Sequence, residues 1–306
     1  MKSKNKKILI ILCIIIISFS LISIFVYRQL NAITLIQLST TTNDRMMGYI
    51  LVTNKGKVIV VDGGNYEDGK KLKSYINSYG GTVEAWFLTH YHHDHTGAIN
   101  YILDETNVNI NKIYSDLSDI SDVEKYEKER EEKYKKLVLS LNGKVPEDRK
   151  ERVSIGQVIN IDNISIKILG TSNAEIEQNF GNNQSLVIKM TTSLNTTILF
   201  LGDTGIQSEE KLLLRYKDEV SNIDYIQMAH HGQNGVDENF YIIANPKNCL
   251  WPTPKWLYEN DNGNGYDSGP WKTIETREWI KKIGSKNYIA KDGDILLKIY
   301  WLGWII

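Results

Sequence analysis

Six consecutive residues, His90-Tyr91-His92-His93-Asp94-His95, constrain this chain more than any other stretch. The sequence has six histidines, four of them here, and the other two are the pair His230-His231. Imidazole nitrogen and carboxylate oxygen are, with thiolate, the usual ligands of zinc. Histidines that merely fill a core do not bunch in this way. Residues 83–89 form an apolar run that reads as a strand, and residues 97–103 read as a helix. The cluster between them is expected to be a loop. A turning loop can aim His90 and His92 at one ion and Asp94 and His95 at a neighbouring one.

Two further strand-like runs end in residues of the same chemistry. Residues 196–201 lead into Gly202-Asp203, and residues 225–229 lead into His230-His231-Gly232. Ligand sites of layered α/β folds lie beyond strand ends. Two ions roughly 3.5–4 Å apart need a shared ligand. Asp203 is the natural bridge, although its place before Ile206 also suits a helix N-cap. His230 or His231 would complete the second ion's shell. Asp62, in Asp62-Gly63-Gly64 after the strand at 57–61, reads either as a turn residue or as a carboxylate orienting a ligand histidine.

Lys2, Lys4, Lys6 and Lys7 precede an uncharged run at 8–27. Such a run, at about 1.5 Å per residue, spans roughly 30 Å, a bilayer's hydrocarbon thickness. It is longer than a signal-peptide core, and Val26-Tyr27-Arg28-Gln29 offers no small-residue cleavage site. The organisation expected is a basic cytoplasmic tail at 1–7, a single-pass anchor at 8–27 and a domain at 33–306. The lysines place that domain outside the cell membrane; a cleaved signal peptide is the alternative.

A net charge of −1 gives no global field for a polyanion. Cys13 lies within the apolar run, so no bridge to Cys249 is expected. Residues 121–152 mix acids and bases densely and read as a solvated helical insertion with i,i+4 pairs. Residues 251–275 form an aromatic loop carrying Trp251, Trp256, Tyr258, Tyr266 and Trp271. These aromatics either cover the domain, stack bases or cage a quaternary ammonium.

The pattern His-x-His-x-Asp-His at 90–95 resembles the signature of the metallo-β-lactamase fold superfamily. Asp62-Gly63-Gly64, Asn182-Asn183-Gln184-Ser185, Phe200-Leu201-Gly202-Asp203 and Ala229-His230-His231-Gly232 further resemble the hydrolase domain of competence DNA-uptake proteins. The resemblance implies an α/β, four-layer αββα sandwich with two divalent metal ions, zinc or manganese, at one edge. It implies that His90 and His92 hold the first ion, Asp94 and His95 the second, and Asp203 both, with His231 favoured over His230 for the second. Asp62 and Asn183 are expected behind the ligands; Asn182 and Asn183 fall where many members carry another histidine. The implied activity is metal-assisted hydrolysis of a small-molecule or polymer ester, with Asp94 holding the attacking water. The substrate expected is a phosphodiester, with DNA or phosphorylcholine-type decorations of a cell-wall polymer as the specific candidates. A non-catalytic binding domain is the competing class.

Overall fold

The structure is a computed structural model that describes residues 2–300. Met1 and residues 301–306, the outer ends of the expected tail and domain, lie outside the described residues. The N-terminal run forms one helix, Lys2–Asn31. Its Ile8–Asn31 stretch has a mean hydropathy of 3.2 and is unburied, so it is long and apolar enough to cross a membrane. A signal sequence shares that character. Asn163 Nδ2 donates to the Asn31 carbonyl at 2.8 Å, tying the end of this helix to the domain.

Two sheets follow. The first has eight strands, running Ile295–Ile299, Ile33–Gln37, Gly48–Val52, Val58–Asp62, Thr82–Leu88, Ile113–Ser115 and Lys150–Arg152, with Asn109–Ile110 beside Thr82–Leu88. The second runs Lys286–Ile289, Asn248–Trp251, Tyr225–Gln227, Thr197–Phe200, Val187–Thr192, Ile164–Gly170 and Val158–Ile161. The central strands are apolar along their length because both of their faces are covered.

Alternate residues separate into layers, as the period of two requires. Ile36, Ile50, Val60 and Trp86 pack under the helices Gly69–Ser78 and His93–Glu105. Leu35, Leu51, Ile59 and Phe87 face Ile166, Ile188, Ile198 and Phe200 of the second sheet. On that sheet's far side Leu199, Ile226 and Trp251 lie under Ile206–Tyr216, Glu238–Ala244 and Thr273–Ile283. The result is the four-layer αββα sandwich of the metallo-β-lactamase fold. Val58–Asp62 and Thr82–Leu88 pair in parallel, as do Thr197–Phe200 and Tyr225–Gln227. Parallel pairing brings the C-terminal ends of each pair to one edge, and these ends carry Asp62, His90, Asp203 and His230.

Three segments differ from their sequence readings. The His/Asp cluster is only half loop, because the helix begins at His93. His92 is its N-cap, and its carbonyl accepts from the amides of His95 and Thr96 at 3.0 and 2.9 Å. The charged segment forms the helices Ile120–Tyr126 and Glu131–Lys144 and then the sheet strand Lys150–Arg152. It is not simply solvated: Val123, Tyr134, Leu137 and Leu141 are buried in the first core. Burying a side chain such as Leu137 contributes roughly 1.5–3 kcal/mol, more than a surface charge pair. The aromatic stretch is only partly loop, because Trp251 ends a buried strand and Lys255–Tyr258 is helical.

Candidate metal centre

Asp62 anchors the centre from beneath. It is fully buried at its strand's end with φ 55°, a left-handed conformation. Its carboxylate accepts from the Thr89 amide, the Thr89 hydroxyl and His95 Nδ1, each at 2.8 Å. These bonds join two adjacent parallel strands and turn His95 Nε2 toward the opposite side. Burial raises the Asp62 pKa against the opposing pull of His95.

The opposite side is Asp203. His95 Nε2 lies 3.2 Å from Asp203 Oδ1. Oδ2 is 3.8 Å from His90 Nε2, 3.7 Å from His231 Nε2 and 3.8 Å from His230 Nε2. Asp94 Oδ2 is 3.3 Å from His231 Nε2 and 4.0 Å from Arg45 Nε. The donor atoms of His90, His92 and Asp203 all lie within 4.8 Å of one another, and so do those of Asp94, His95 and His231. Six of the seven expected ligand residues thus fall into two neighbouring groups, with His231 beside Asp94 and His95; His230 belongs to neither group, although its Nε2 lies 3.8 Å from Asp203 Oδ2.

Local structure explains the convergence. Gly202 has φ 58°, and a Cβ there would stand 2.8 Å from Ser185 Oγ. Buried Gln227 accepts from the amides of Leu201 and Gly202 at 2.7 and 2.8 Å, pinning the turn that presents Asp203. Ser185 Oγ accepts from the Asp203 amide at 2.9 Å. His231 Nδ1 donates to the Pro252 carbonyl at 3.0 Å, which leaves Nε2 facing inward.

His92 is held by a residue that sequence reasoning missed. Its Nε2 lies 2.8 Å from Glu127 Oε2, in the charged segment. That contact leaves Nδ1 as the nitrogen available to the His90–Asp203 group. Tyr91 donates to the same oxygen at 2.9 Å, and the Gly181 amide donates to Oε1 at 3.2 Å. A Cβ on Gly181 would sit 2.3 Å from His92 Nε2, so the backbone must be bare there. Burial would raise the Glu127 pKa, but the His92 and Tyr91 hydrogen bonds and Arg130 bring it down to about 2.

Burial disfavours charge at Asp94 and Asp203 as well. For Asp94 the His231 hydrogen bond and the charges of His95, His231 and Arg45 outweigh it. For Asp203 the charges of His95, His231 and His230 do the same. Both stay ionised. Burial lowers His95, but Asp203 and Asp62 more than reverse this and hold it well above the usual histidine value. Desolvation together with His95 and His92 keeps His90 neutral.

His90 Nε2, His95 Nε2, His231 Nε2, Asp203 Oδ1 and Asn182 Oδ1 are all buried without an aligned hydrogen bond. An isolated polar atom in such a place costs about 1–3 kcal/mol. Imidazole and carboxylate donors gathered within 4.8 Å of one another in each group suit divalent cations. The residues present therefore fit a dinuclear centre.

Asn183 lies elsewhere. Its Oδ1 accepts from the amides of Gly205 and Ser208, both at 3.2 Å, at the start of the Ile206–Tyr216 helix. Its neighbour Asn182 instead reaches the site's rim, where its Nδ2 lies 3.4 Å from His230 Nε2 and its Oδ1 is buried without a partner.

Residues 49–175 match the metallo-beta-lactamase superfamily. Solved structures extend the likeness, as one of fold, over most of the chain's length. The metallo-beta-lactamase fold protein YhfI from Bacillus subtilis superposes with a TM-score of 0.55 at 15% identity, over 88% of this chain and 100% of that one. A diphosphatase from the PhnP family gives 0.51 at 11% identity, over 87% and 98%. Unliganded yeast PDE1 gives 0.52 at 11% identity, over 88% and 100%. No curated protein matches the chain.

Proposed function

We propose that this chain is a membrane-anchored, metal-dependent hydrolase of a phosphodiester or related phosphate ester. The observation that carries this reading is the meeting of two donor groups across Asp203, four of whose atoms are buried without a hydrogen-bond partner. Two divalent ions held there supply Lewis acidity and a nucleophilic water at neutral pH. The chain's own groups do the rest. Asp94, ionised at the edge of the centre, would accept a hydrogen bond from the attacking water and orient it. Arg45, partly exposed and 4.0 Å from Asp94, brings a guanidinium suited to an anionic ester. The fold shared with a diphosphatase and with yeast PDE1 is in keeping with this substrate class. The Ile8–Asn31 helix is the anchor, and the lysines before it favour a domain facing outward.

The test is a substrate panel on the full chain in detergent with manganese or zinc. The panel holds bis-p-nitrophenyl phosphate, p-nitrophenyl phosphorylcholine, plasmid DNA and nitrocefin, with Asp203→Ala as control. Metal-dependent turnover of a phosphate ester, lost in the control, is expected. The ester preferred separates the nuclease from the phosphorylcholine esterase. Inertness toward every phosphate ester, or turnover of nitrocefin alone, overturns the proposal.

A further inference from the structure

Resting on the membrane-anchored hydrolase reading, we infer that the candidate centre faces away from the bilayer that holds the chain. Its substrate is then a phosphate ester in the water or on a polymer beyond the membrane, and not a lipid headgroup beside the anchor.

Strand register sets the two ends of the domain. Ile33–Gln37 pairs antiparallel with Gly48–Val52, Thr34 opposite Val52 and Gln37 opposite Tyr49. Gly48–Val52 pairs antiparallel with Val58–Asp62, Val52 opposite Val58 and Gly48 opposite Asp62. Ile33, Val52 and Val58 therefore share one end of the first sheet. Asp62 lies at the other, with Thr82–Leu88 parallel to its strand and leading into His90. In the second sheet Thr197 pairs with Thr191, and Asp203 follows the opposite end of that strand, past Phe200. The turns at Asp162-Asn163 and at 193–195 lie at the Thr197 end. Thr53 Oγ1 donates to Asp162 Oδ2 at 2.6 Å, so these turns stand beside the Val52–Val58 end of the first sheet. At about 3.3 Å per residue, Val58–Asp62 alone sets the two ends roughly 13 Å apart.

The helix joins the domain at the end away from the centre. Only Ala32 separates the Lys2–Asn31 helix from the strand that begins at Ile33. Asn163 Nδ2 donates to the Asn31 carbonyl at 2.8 Å, and Ser193 Oγ donates to Asn31 Oδ1 at 3.4 Å. Ser23, Ile24, Tyr27 and Arg28 of the helix line one gap with Leu194 and Asn195. Asn163, Ser193, Leu194 and Asn195 all belong to the two turns just placed at that end. The apolar stretch of the helix is exposed, so it departs from these turns and does not run along a flank of the domain. A bilayer around Ile8–Tyr27 then lies under the turns, with the His/Asp cluster at the far side of the sandwich. A one-residue linker, held by two hydrogen bonds at its helix end, gives the domain no reach to turn that cluster back onto the surface it stands on.

The experiment places the full chain in phosphatidylcholine nanodiscs doped with a nickel-chelating lipid. A nitroxide is attached at Lys55→Cys or at Lys272→Cys, each with Cys13→Ser; Cys249 is buried and stays unlabelled. Both lysine side chains are largely exposed. Lys55 lies in the turn between Gly48–Val52 and Val58–Asp62. The Lys272 amide donates to Asn234, whose carbonyl contacts His230, beside the centre. Lipid-bound nickel is expected to speed the relaxation of the label at position 55 severalfold more than that at 272. Bis-p-nitrophenyl phosphate should be turned over in the discs while their own lipid stays intact. Equal relaxation at the two labels, stronger relaxation at 272, or metal-dependent release of phosphocholine from the disc lipid overturns the inference. Inertness toward both esters overturns the hydrolase reading and leaves the labels to decide the orientation. A chain that does not insert into the discs overturns the anchored reading, and the orientation with it.

Discussion

Glu127 Oε2 stands 2.8 Å from His92 Nε2 and so decides which face of that imidazole meets His90 and Asp203. The carboxylate comes from a segment whose charge density resembles solvated surface. Carboxylates behind ligand histidines typically contribute 10–100-fold to metal affinity. Glu127→Ala is expected to weaken uptake at the His92 position by about that factor, read by competition with a chromophoric chelator. Unchanged affinity would show that the contact is incidental.

Asp62 plays the same part for His95 on the other side. Asp62→Asn is expected to lower affinity at the Asp94–His95 position roughly 10–100-fold. The carboxylates back histidines of different donor groups, so their losses should add when the variants are combined, as independent sites do within about 0.5 kcal/mol. Strong non-additivity in the double variant would mean that they support a single position.

Gly202 and Gly56 separate conformational strain from crowding. Both have positive φ, 58° and 84°, but a Cβ on Gly56 meets nothing within 4 Å. Gly56→Ala should cost only the left-handed penalty, about 1–2 kcal/mol. Gly202→Ala adds the clash with Ser185 Oγ and a displaced Asp203, so its Tm should fall further and metal uptake should fall with it. Equal Tm losses would contradict the packing described.

Glu209 gives a pH test away from the metal ligands. Burial, reinforced by the charges of Asp237 and Glu210, raises its pKa from 4.5 to about 8 despite the Asp237 amide bond. The folded state thus holds a proton that the unfolded chain releases. The stability this supplies is complete below pH 4.5 and is lost as pH climbs through 8. Glu209→Gln lacks this dependence, so its Tm relative to wild type should rise between pH 5 and 8. A constant difference across that range would refute the assignment.

The Lys2–Asn31 helix exposes its apolar residues all round. Full-length protein should stay in the membrane fraction after alkaline carbonate washing and keep its own N-terminus on sequencing. Release into the wash, with a new N-terminus near residue 30, would identify a cleaved signal sequence.

The strands were legible because both sheet faces are buried and their apolar runs are nearly continuous, as in Val58–Asp62. The convergence of His90, Asp203 and His231 followed from strand ends. The helix start at His93 was not legible, because His92, Asp94 and His95 have the polarity of a turn while the His92 carbonyl already accepts helical bonds. Glu127 was hidden because its partner lies 35 residues away. Its segment conceals a stripe of Tyr134, Leu137 and Leu141 at helical spacing among many charges. Asn182 and Asn183 are indistinguishable as sequence neighbours, and only the backbone brings the Asn182 amide beside His230 and the Asn183 oxygen to the Gly205 and Ser208 amides.

The most direct measurement is elemental analysis of the purified full chain after incubation with manganese or zinc and removal of free metal. The account predicts two divalent ions per chain, and loss of bound metal in Asp203→Ala, because that carboxylate adjoins both donor groups. A folded wild-type protein that retains no divalent ion, or an Asp203→Ala variant that retains both, would contradict it.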